Sequence, residues 1–437
     1  MTLEQNTKRW RNWGRTESAL PQHVVHARSI DEVVATLRFA REHGLRVKAI
    51  GAGHSFSGIA VPDGIQLDIS AIDGLLAVDG TRVTLGAGTN LYQLPALLDP
   101  LGLALENMGD IDRQTIAGAT STGTHGTGHL FGGLAKQLVA VTLVTAAGEL
   151  LHVSATENAD LWPAARLGLG ALGILVEVTI ECVPSYLLHA VEKPEPLDDV
   201  LDNWMLRASA VDHFEFYWFP HTKTALTKTN TRLDLDAGAK PLSRFGAWFD
   251  DRFMSNHVYR VTNAIGRVIP ATIKPQNWLG ERLVAAREFT DVSHRVFAAE
   301  RTVHFKEMEY ALPLEHVPAA LRAIDALIES RGWRISFPVE VRCAAADDIW
   351  LSTANGRESG YIAVHRYHRD DPTEYFEAVE AIFRGFDGRP HWGKMHTRDA
   401  ASLASTYDRF DDFVAVRDRL DPERLFANAY TERVLGT

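Results

Sequence analysis

Two histidines lie in loops rich in small, donor-bearing residues. Gly51-Ala52-Gly53-His54-Ser55 follows a short apolar run from Val47 to Ile50, and residues 118–128 read Gly-Ala-Thr-Ser-Thr-Gly-Thr-His-Gly-Thr-Gly. Glycines at 51, 53, 123, 126 and 128 permit positive φ, so successive backbone amides can converge on an anion. Thr120, Ser121, Thr122, Thr124 and Thr127 add hydroxyl donors. Such a pair of loops suits a pyrophosphate, and the absence of a following lysine argues against a Walker-type ATP site. Read alone, His54 is a loop histidine capping a turn. Glu340 and Arg342 are two apart on an apparent strand and share a face. A surface ion pair is the plain reading; if the pair is buried, it needs polar partners, which a polyol-like substrate would supply. His365 with His368, and His391 with His396, invite a metal reading. On a strand, positions i and i+3 face opposite sides, and no cysteine or nearby acid completes a tetrahedral set, so no metal is expected.

The elements that must position these residues follow from periodicity. Ser29-Ile30-Asp31-Glu32 is an N-cap with an acidic first turn, opening a helix that stops near Gly44. Strands are expected at 46–50, 66–69, 82–85, 138–145 and 150–153, with a helix at 90–98. A GxGxxG match at Gly168, Gly170 and Gly173 follows a helix-like stretch, 159–166, and precedes a β-branched run, 174–180. A Rossmann fingerprint requires the reverse order, so these glycines read as a helix-to-strand turn whose amides can still face a cofactor. Beyond Pro184 the runs His213-Phe-Glu-Phe-Tyr-Trp-Phe219 and His304-Phe-Lys-Glu-Met-Glu-Tyr310 alternate as strands with one polar face. Helices are expected at 316–331 and 372–385, residues 250–290 show no usable period, and Asp421 to Asn428 form a turn with an aromatic anchor. The division expected is 1–183, 184–390, and a C-terminal segment, 391–437, returning to the first domain.

Composition narrows the class. A chain of 437 residues exceeds one ordinary core. A net charge of −11 without a basic run argues against nucleic acid or an anionic membrane surface. Cys182 and Cys343 stand in unrelated contexts and make no disulfide framework. The N-terminus is polar but for Trp10 and Trp13, and no apolar run approaches the roughly 20 residues of a membrane span. A cytoplasmic protein is the expectation.

Taken together, the His54 loop through Phe56, the 118–128 loop and Gly170-Ala-Leu-Gly173-Ile174 resemble the FAD-binding domain of vanillyl-alcohol-oxidase-type (PCMH-type) flavoproteins. Within that group, Glu340-Val-Arg342, the segment Pro390-His-Trp-Gly-Lys394 and the 421–428 tail resemble the aldonolactone oxidoreductases, with alditol oxidases related. The resemblance implies an α+β, two-domain fold: an FAD-binding domain and a substrate, or cap, domain with an antiparallel sheet. It implies FAD held by Gly51, Ala52, Gly53, His54, Ser55, Gly118, Thr122, Gly123, Thr124, His125, Gly126, Gly173 and Ile174, with a covalent bond from His54 to the flavin 8α-carbon. It further implies that Glu340 binds substrate hydroxyls, that Arg342 supports the reacting oxygen, that Lys394 polarises the hydroxyl being oxidised, and that His365 lines the pocket. Oxidation would proceed by hydride transfer to flavin N5, with O2 or another acceptor regenerating the cofactor. By the same resemblance Gly109 leaves room for oxygen. Asp110 replaces a serine of the alditol enzymes and Tyr367 a smaller polar residue, which ranks a sugar lactone first as substrate and an alditol second. A flavin- or carbohydrate-binding protein without chemistry is the reading from another class.

Overall fold

A computed structural model describes residues 4–5, 8–243, 246, 248, 256–283, 285–299 and 301–437. The first sheet orders its four strands Glu4–Gln5, His23–His26, Ile65–Asp68 and Val47–Ile50. The last three run parallel, and the helix Ile30–Glu42 makes the crossover. Ser29 caps that helix by accepting from the Glu32 amide at 3.3 Å, and Val33, Leu37 and Ala40 bury its inner face. Parallel strands open their carboxyl ends to ligands, and the Gly51 turn begins where Val47–Ile50 ends.

Five antiparallel strands form the second sheet, in the order Leu150–Ser154, Leu138–Val144, Ile174–Glu181, Arg82–Gly86 and Leu75–Asp79. The 168–173 glycines join the helix Trp162–Ala165 to the strand Ile174–Glu181. The 118–128 stretch departs from expectation, because its first half is helical. Ile116–Thr122 is a helix whose N-cap, Thr115, accepts from the Gly118 amide at 3.2 Å, and Gly123 ends it at φ 82°.

Eight antiparallel strands make the third sheet: Arg287–Val292, Leu187–Pro196, Thr224–Leu233, His213–Trp218, Val339–Ala344, Ser359–Tyr367, Phe305–Pro313 and Arg389–Pro390. One face meets the helices Leu197–Asp202, Trp204–Ser209, Val317–Arg331 and Thr373–Gly385. Phe214, Phe216, Trp218, Met308, Tyr310, Val339, Val341, Ile362 and Val364 pack into that core. Because side chains alternate, the intervening residues of the same strands all point the other way. They are Glu215, Tyr217, Glu307, Glu309, Glu340, Arg342 and His365, and that face is buried too. In the stretch without a sequence period, helices run Tyr259–Val268 and Ile273–Leu283, while residues 250–255 and 284 lie outside the described residues.

The C-terminal segment closes on the first sheet. Val47 N–H donates to Leu425 O at 2.8 Å, and the buried Lys48 ammonium donates to Phe426 O at 2.9 Å. Asn428 Nδ2 donates to the carbonyls of Gly58, Ile59 and Val61. Asp421 accepts from the Leu425 and Phe426 amides, which fixes the turn expected there. Among the described residues, no helix is long and apolar enough to cross a membrane.

Candidate active site

A groove of about 110 Å³ runs along the first two sheets, lined by the 50–55 turn, the start of the helix Ile116–Thr122 and the 169–175 stretch. Gly51, Ala52, Gly53, His54, Ser55, Gly118, Thr122 and Gly173 line it, as do Lys48, Ser121 and Gly170. The structure places Gly123, Gly126 and Ile174 elsewhere. Gly123 terminates the helix, with any Cβ 3.3 Å from Leu167. Gly126 packs against Met108 O, which a Cβ would approach to 2.4 Å, and Ile174 is a core residue of its strand. Thr124 and His125 line the neighbouring cavity instead.

The groove fits a flavin nucleotide. Ala52, Gly53, His54 and Ser55 have backbone N–H groups for which no backbone acceptor exists among the described residues. Such a run of open donors is an anion cradle. A Cβ at Gly170 would enter open space, so the groove wall there is bare backbone. Lys48 is the one charged side chain in the lining, and burial pushes its pKa down to about 8 against the pull of Asp63 and Asp421. Burial, then the charges of Lys394 and Arg113, push His54 down to about 4, so its imidazole is neutral and nucleophilic at ordinary pH.

His54, Ser55, Gln114 and Thr122 also line a second cavity of about 120 Å³, so groove and cavity share a wall. The eight-stranded sheet supplies Tyr217, Glu307, Glu309, Glu340, Arg342 and His365 to this cavity, which also includes Lys394, Gly109 and Asp110. Tyr367, noted as replacing a smaller polar residue of the alditol enzymes, packs with Phe56, Val303, Phe305 and Phe337 and does not line it. Gly109 faces the cavity in a tight place: a Cβ would lie 2.9 Å from His125 O, so even alanine requires a backbone shift.

The charges form two linked groups. In the first, Arg342 contacts Glu340, donates through Nε to Glu215 at 2.9 Å and meets Asp110 at 3.3 Å. Asp110 is bound again by Arg301 at 3.0 Å, Glu215 by Lys228 at 3.0 Å, and Tyr217 Oη donates to Glu340 at 3.1 Å. Burial would raise all three carboxyls. For Asp110 and Glu215 the surrounding cations outweigh it, holding Asp110 well below the carboxylate range and Glu215 at about 2. Glu340 is pushed up, because burial together with Asp110 and Glu215 exceeds the pull of Arg342.

In the second group, Glu307 lies between Lys394 (2.5 Å) and His365 (3.5 Å). His365 Nδ1–H donates to Pro338 O at 2.8 Å, which turns Nε2 toward the carboxylate. Burial opposes the charge on Lys394, yet Glu307 and Glu309 outweigh it and hold the ammonium above its ordinary value. His365 is raised by Glu307 in the same way, again against burial. Beside them, His125, Glu309 and His391 bring ligand-capable atoms within 4.8 Å of one another, with His125 Nε2 3.2 Å from Glu309. The Gly393 amide donates to His391 Nδ1 at 3.0 Å. Lys394 is fixed by its own segment, since Phe56 N–H donates to Gly393 O and the Trp392 indole to Leu351 O.

Sequence reasoning missed Glu215, Tyr217, Arg301, Glu307 and Glu309, and weighed His391 only as a metal ligand. The signal for four of them was present: Glu215 and Tyr217 in the alternating run 213–219, and Glu307 and Glu309 in 304–310, lie on the sheet face away from the apolar core.

Comparison with known proteins agrees with this geometry. A family model described as FAD binding domain matches residues 21–154, and one described as D-arabinono-1,4-lactone oxidase matches residues 178–434. The chain is 41% identical to an L-gulono-1,4-lactone dehydrogenase of Mycobacterium tuberculosis, over 98% of this chain and 99% of the relative. It is 34% identical to the L-gulonolactone oxidase of Bos taurus, covering 98% of both chains. In three dimensions it resembles a cholesterol oxidase from B. sterolicum with a TM-score of 0.82 at 16% identity, over 99% of this chain and 97% of the other, a likeness of fold alone. The chain has the α+β, two-domain fold expected of vanillyl-alcohol-oxidase-type flavoproteins and belongs to the D-arabinono-1,4-lactone oxidase family, whose members bind FAD.

Proposed function

We propose that this protein oxidises a carbinol of a sugar lactone, L-gulono-1,4-lactone or a close relative, with FAD in the groove. One observation carries the reading: Glu340, Arg342, Lys394 and Glu307 converge on a cavity that shares a wall with the groove. Bound there, FAD supplies the two-electron acceptor for the carbinol hydrogen. The chain's own residues do the rest. Lys394, kept charged by Glu307, donates to the oxygen of the reacting hydroxyl and stabilises it as it becomes a carbonyl. Glu340, held by Arg342 and Tyr217, accepts from substrate hydroxyls, and its raised proton affinity suits it to receive the hydroxyl proton. Arg342 and Arg301 fix Asp110 at the cavity edge, where it reads the sugar. Residues 1–183 line the cofactor groove, while the substrate cavity joins residues of 184–390 to Asp110 and Lys394 from either side of that range.

The alditol reading is not favoured, because the matching family and the relatives carry lactone names. Those names divide between dehydrogenase and oxidase, which differ in what reoxidises the cofactor. Anaerobic addition of L-gulono-1,4-lactone should bleach the visible flavin band, and no bleaching by any aldonolactone overturns the proposal. His54 is the proposed point of covalent attachment, supported by its neutral imidazole in the groove wall. Acid-precipitated protein should then stay yellow; a colourless pellet with all flavin in the supernatant removes the bond.

A further inference from the structure

The N-terminal hairpin, in which Trp10–Arg11 pairs antiparallel with Ser18–Ala19, has no part in the readings above, yet it reaches the His54 loop. Trp13 N–H donates to Gly53 O at 2.8 Å, and its indole stacks on the His54 imidazole with centroids 5.5 Å apart and planes 24° apart. On its other side Trp13 meets His304 at 4.7 Å, and His304 meets His368 at 5.7 Å. The turn holding Trp13 is built for close approach: a side chain at Gly14 would come within 2.6 Å of the Phe56 ring, and Arg15 adopts φ 58°.

These rings end in a separate cavity of about 270 Å³, lined by Arg15, Arg260, His304, His368 and Arg369 and by no acid. Arg260 donates to Thr302 Oγ1 at 2.9 Å. Among the described residues no carboxylate pairs with Arg15, Arg260 or Arg369, and Asp370 next along is engaged by Arg267 at 3.5 Å. Burial and then Arg15 push His368 down to about 4, so its ring is a neutral wall beside the guanidiniums. Planar guanidiniums converging in a concave site without counter-charge recognise multiply charged anions. The volume is that of a small ligand site rather than of a protein docking face.

We propose that this pocket binds a small, multiply charged anionic oxidant, and that the stacked Trp13 and His54 rings are the route by which electrons reach it from the cofactor groove. Oxidation of one carbinol to a ketone releases two electrons and two protons. With ferricyanide as the probe, two ions each take one electron to become ferrocyanide, and both protons pass to water. The proposal rests on FAD in the groove but not on the identity of the lactone.

The test uses holoenzyme and hexacyanocobaltate(III), a redox-inert trianion shaped like ferricyanide. Calorimetry should find one saturable site, absent in the Arg15→Glu, Arg369→Glu double variant. Photochemically reduced holoenzyme should be reoxidised by ferricyanide about tenfold or more slowly in that variant, the low end of electrostatic steering. Neutral benzoquinone should reoxidise both forms at rates within about twofold. In unmodified enzyme, hexacyanocobaltate should compete with ferricyanide, which keeps the test open if the double variant does not fold. Trp13→Leu should slow ferricyanide reoxidation while leaving hexacyanocobaltate affinity intact. Absence of saturable binding, or equal slowing with ferricyanide and benzoquinone, overturns the pocket; an unchanged rate in Trp13→Leu overturns the route. Because reduction is photochemical, a protein that no lactone bleaches still decides this proposal.

Discussion

The groove proposed for the cofactor and the cavity proposed for the substrate meet at a common wall but solve different problems. The groove is assembled from three short stretches, each next to a strand or helix end, and it presents backbone amides and hydroxyls; its single charged side chain is already bound by Phe426 O. The cavity draws on strands and loops spread from His54 to Lys394, and it presents charge. Amide donors neither titrate nor need counter-ions, so the groove depends on shape. Buried charges each require a partner, so the cavity exists only as a network in which removing one member strands the others. A substitution in the groove should therefore act on cofactor retention, and one in the cavity on rate and on stability together.

The harshest trial of that contrast is Arg342→Ala, which leaves Asp110, Glu215 and Glu340 without their shared cation. We expect lactone-driven flavin reduction to fall beyond stopped-flow detection and unfolding free energy to drop by about 3–5 kcal/mol, with the FAD content of folded protein unchanged. An unaltered denaturation midpoint would break the comparison. Lys394→Met should come next, slowing flavin reduction by about 10²–10³ while the ratio of visible to ultraviolet absorbance holds. Equal rates would remove Lys394 from the chemistry.

Gly51→Ala probes the groove. Its Cβ would lie 2.3 Å from Thr115 Oγ1, the cap of the helix Ile116–Thr122. Overpacking of this kind costs about 1–3 kcal/mol, which we expect to see as about tenfold weaker FAD retention in dilution or dialysis. The fraction still holding FAD should react at the normal rate; a slowed reaction with full retention would show that shape and charge are not separable here.

The mildest effect concerns pH. Lys228 and Arg342 outweigh burial at Glu215 and depress it from an ordinary 4.5 to about 2. A depressed acid stabilises the fold above its unfolded value and loses that contribution as pH falls from 4.5 toward 2. Thermal midpoints should decline across that window, and Glu215→Gln should flatten the decline. An equal slope in both proteins would mean that other carboxyls dominate.

The same contrast explains what could be read from the chain. Groove residues are neighbours in sequence, so the glycine density around His54 and the helix-then-strand order around Gly168 to Gly173 carried the cofactor site. The helix hidden in 116–122 was missed because threonine and glycine depress helix propensity, and the Thr115 cap with tertiary packing overrides it. Cavity residues are neighbours only across strand registers, such as Tyr217 opposite Glu340 and Glu307 opposite His365. Those pairings require the order of an eight-stranded sheet, which no local period contains. Asp110 shows the limit most clearly: its type was noticed, but its partner Arg301 lies 191 residues along the chain, in no element read from the sequence. Tyr367 shares a face with His365 and still ends in an aromatic cluster outside the cavity.

The C-terminal clasp sets the order of events during synthesis. Leu425, Phe426 and Asn428 hold the strand and turn that carry the flavin loop, some of the most distant contacts in the chain. Pairings so remote in sequence close late in folding. A chain whose glycine turn is already made therefore lacks this support until residues 425–428 have docked on the first sheet. Cofactor capture then follows the closing of that clasp, and FAD acts as a selective stabiliser of chains in which it has closed.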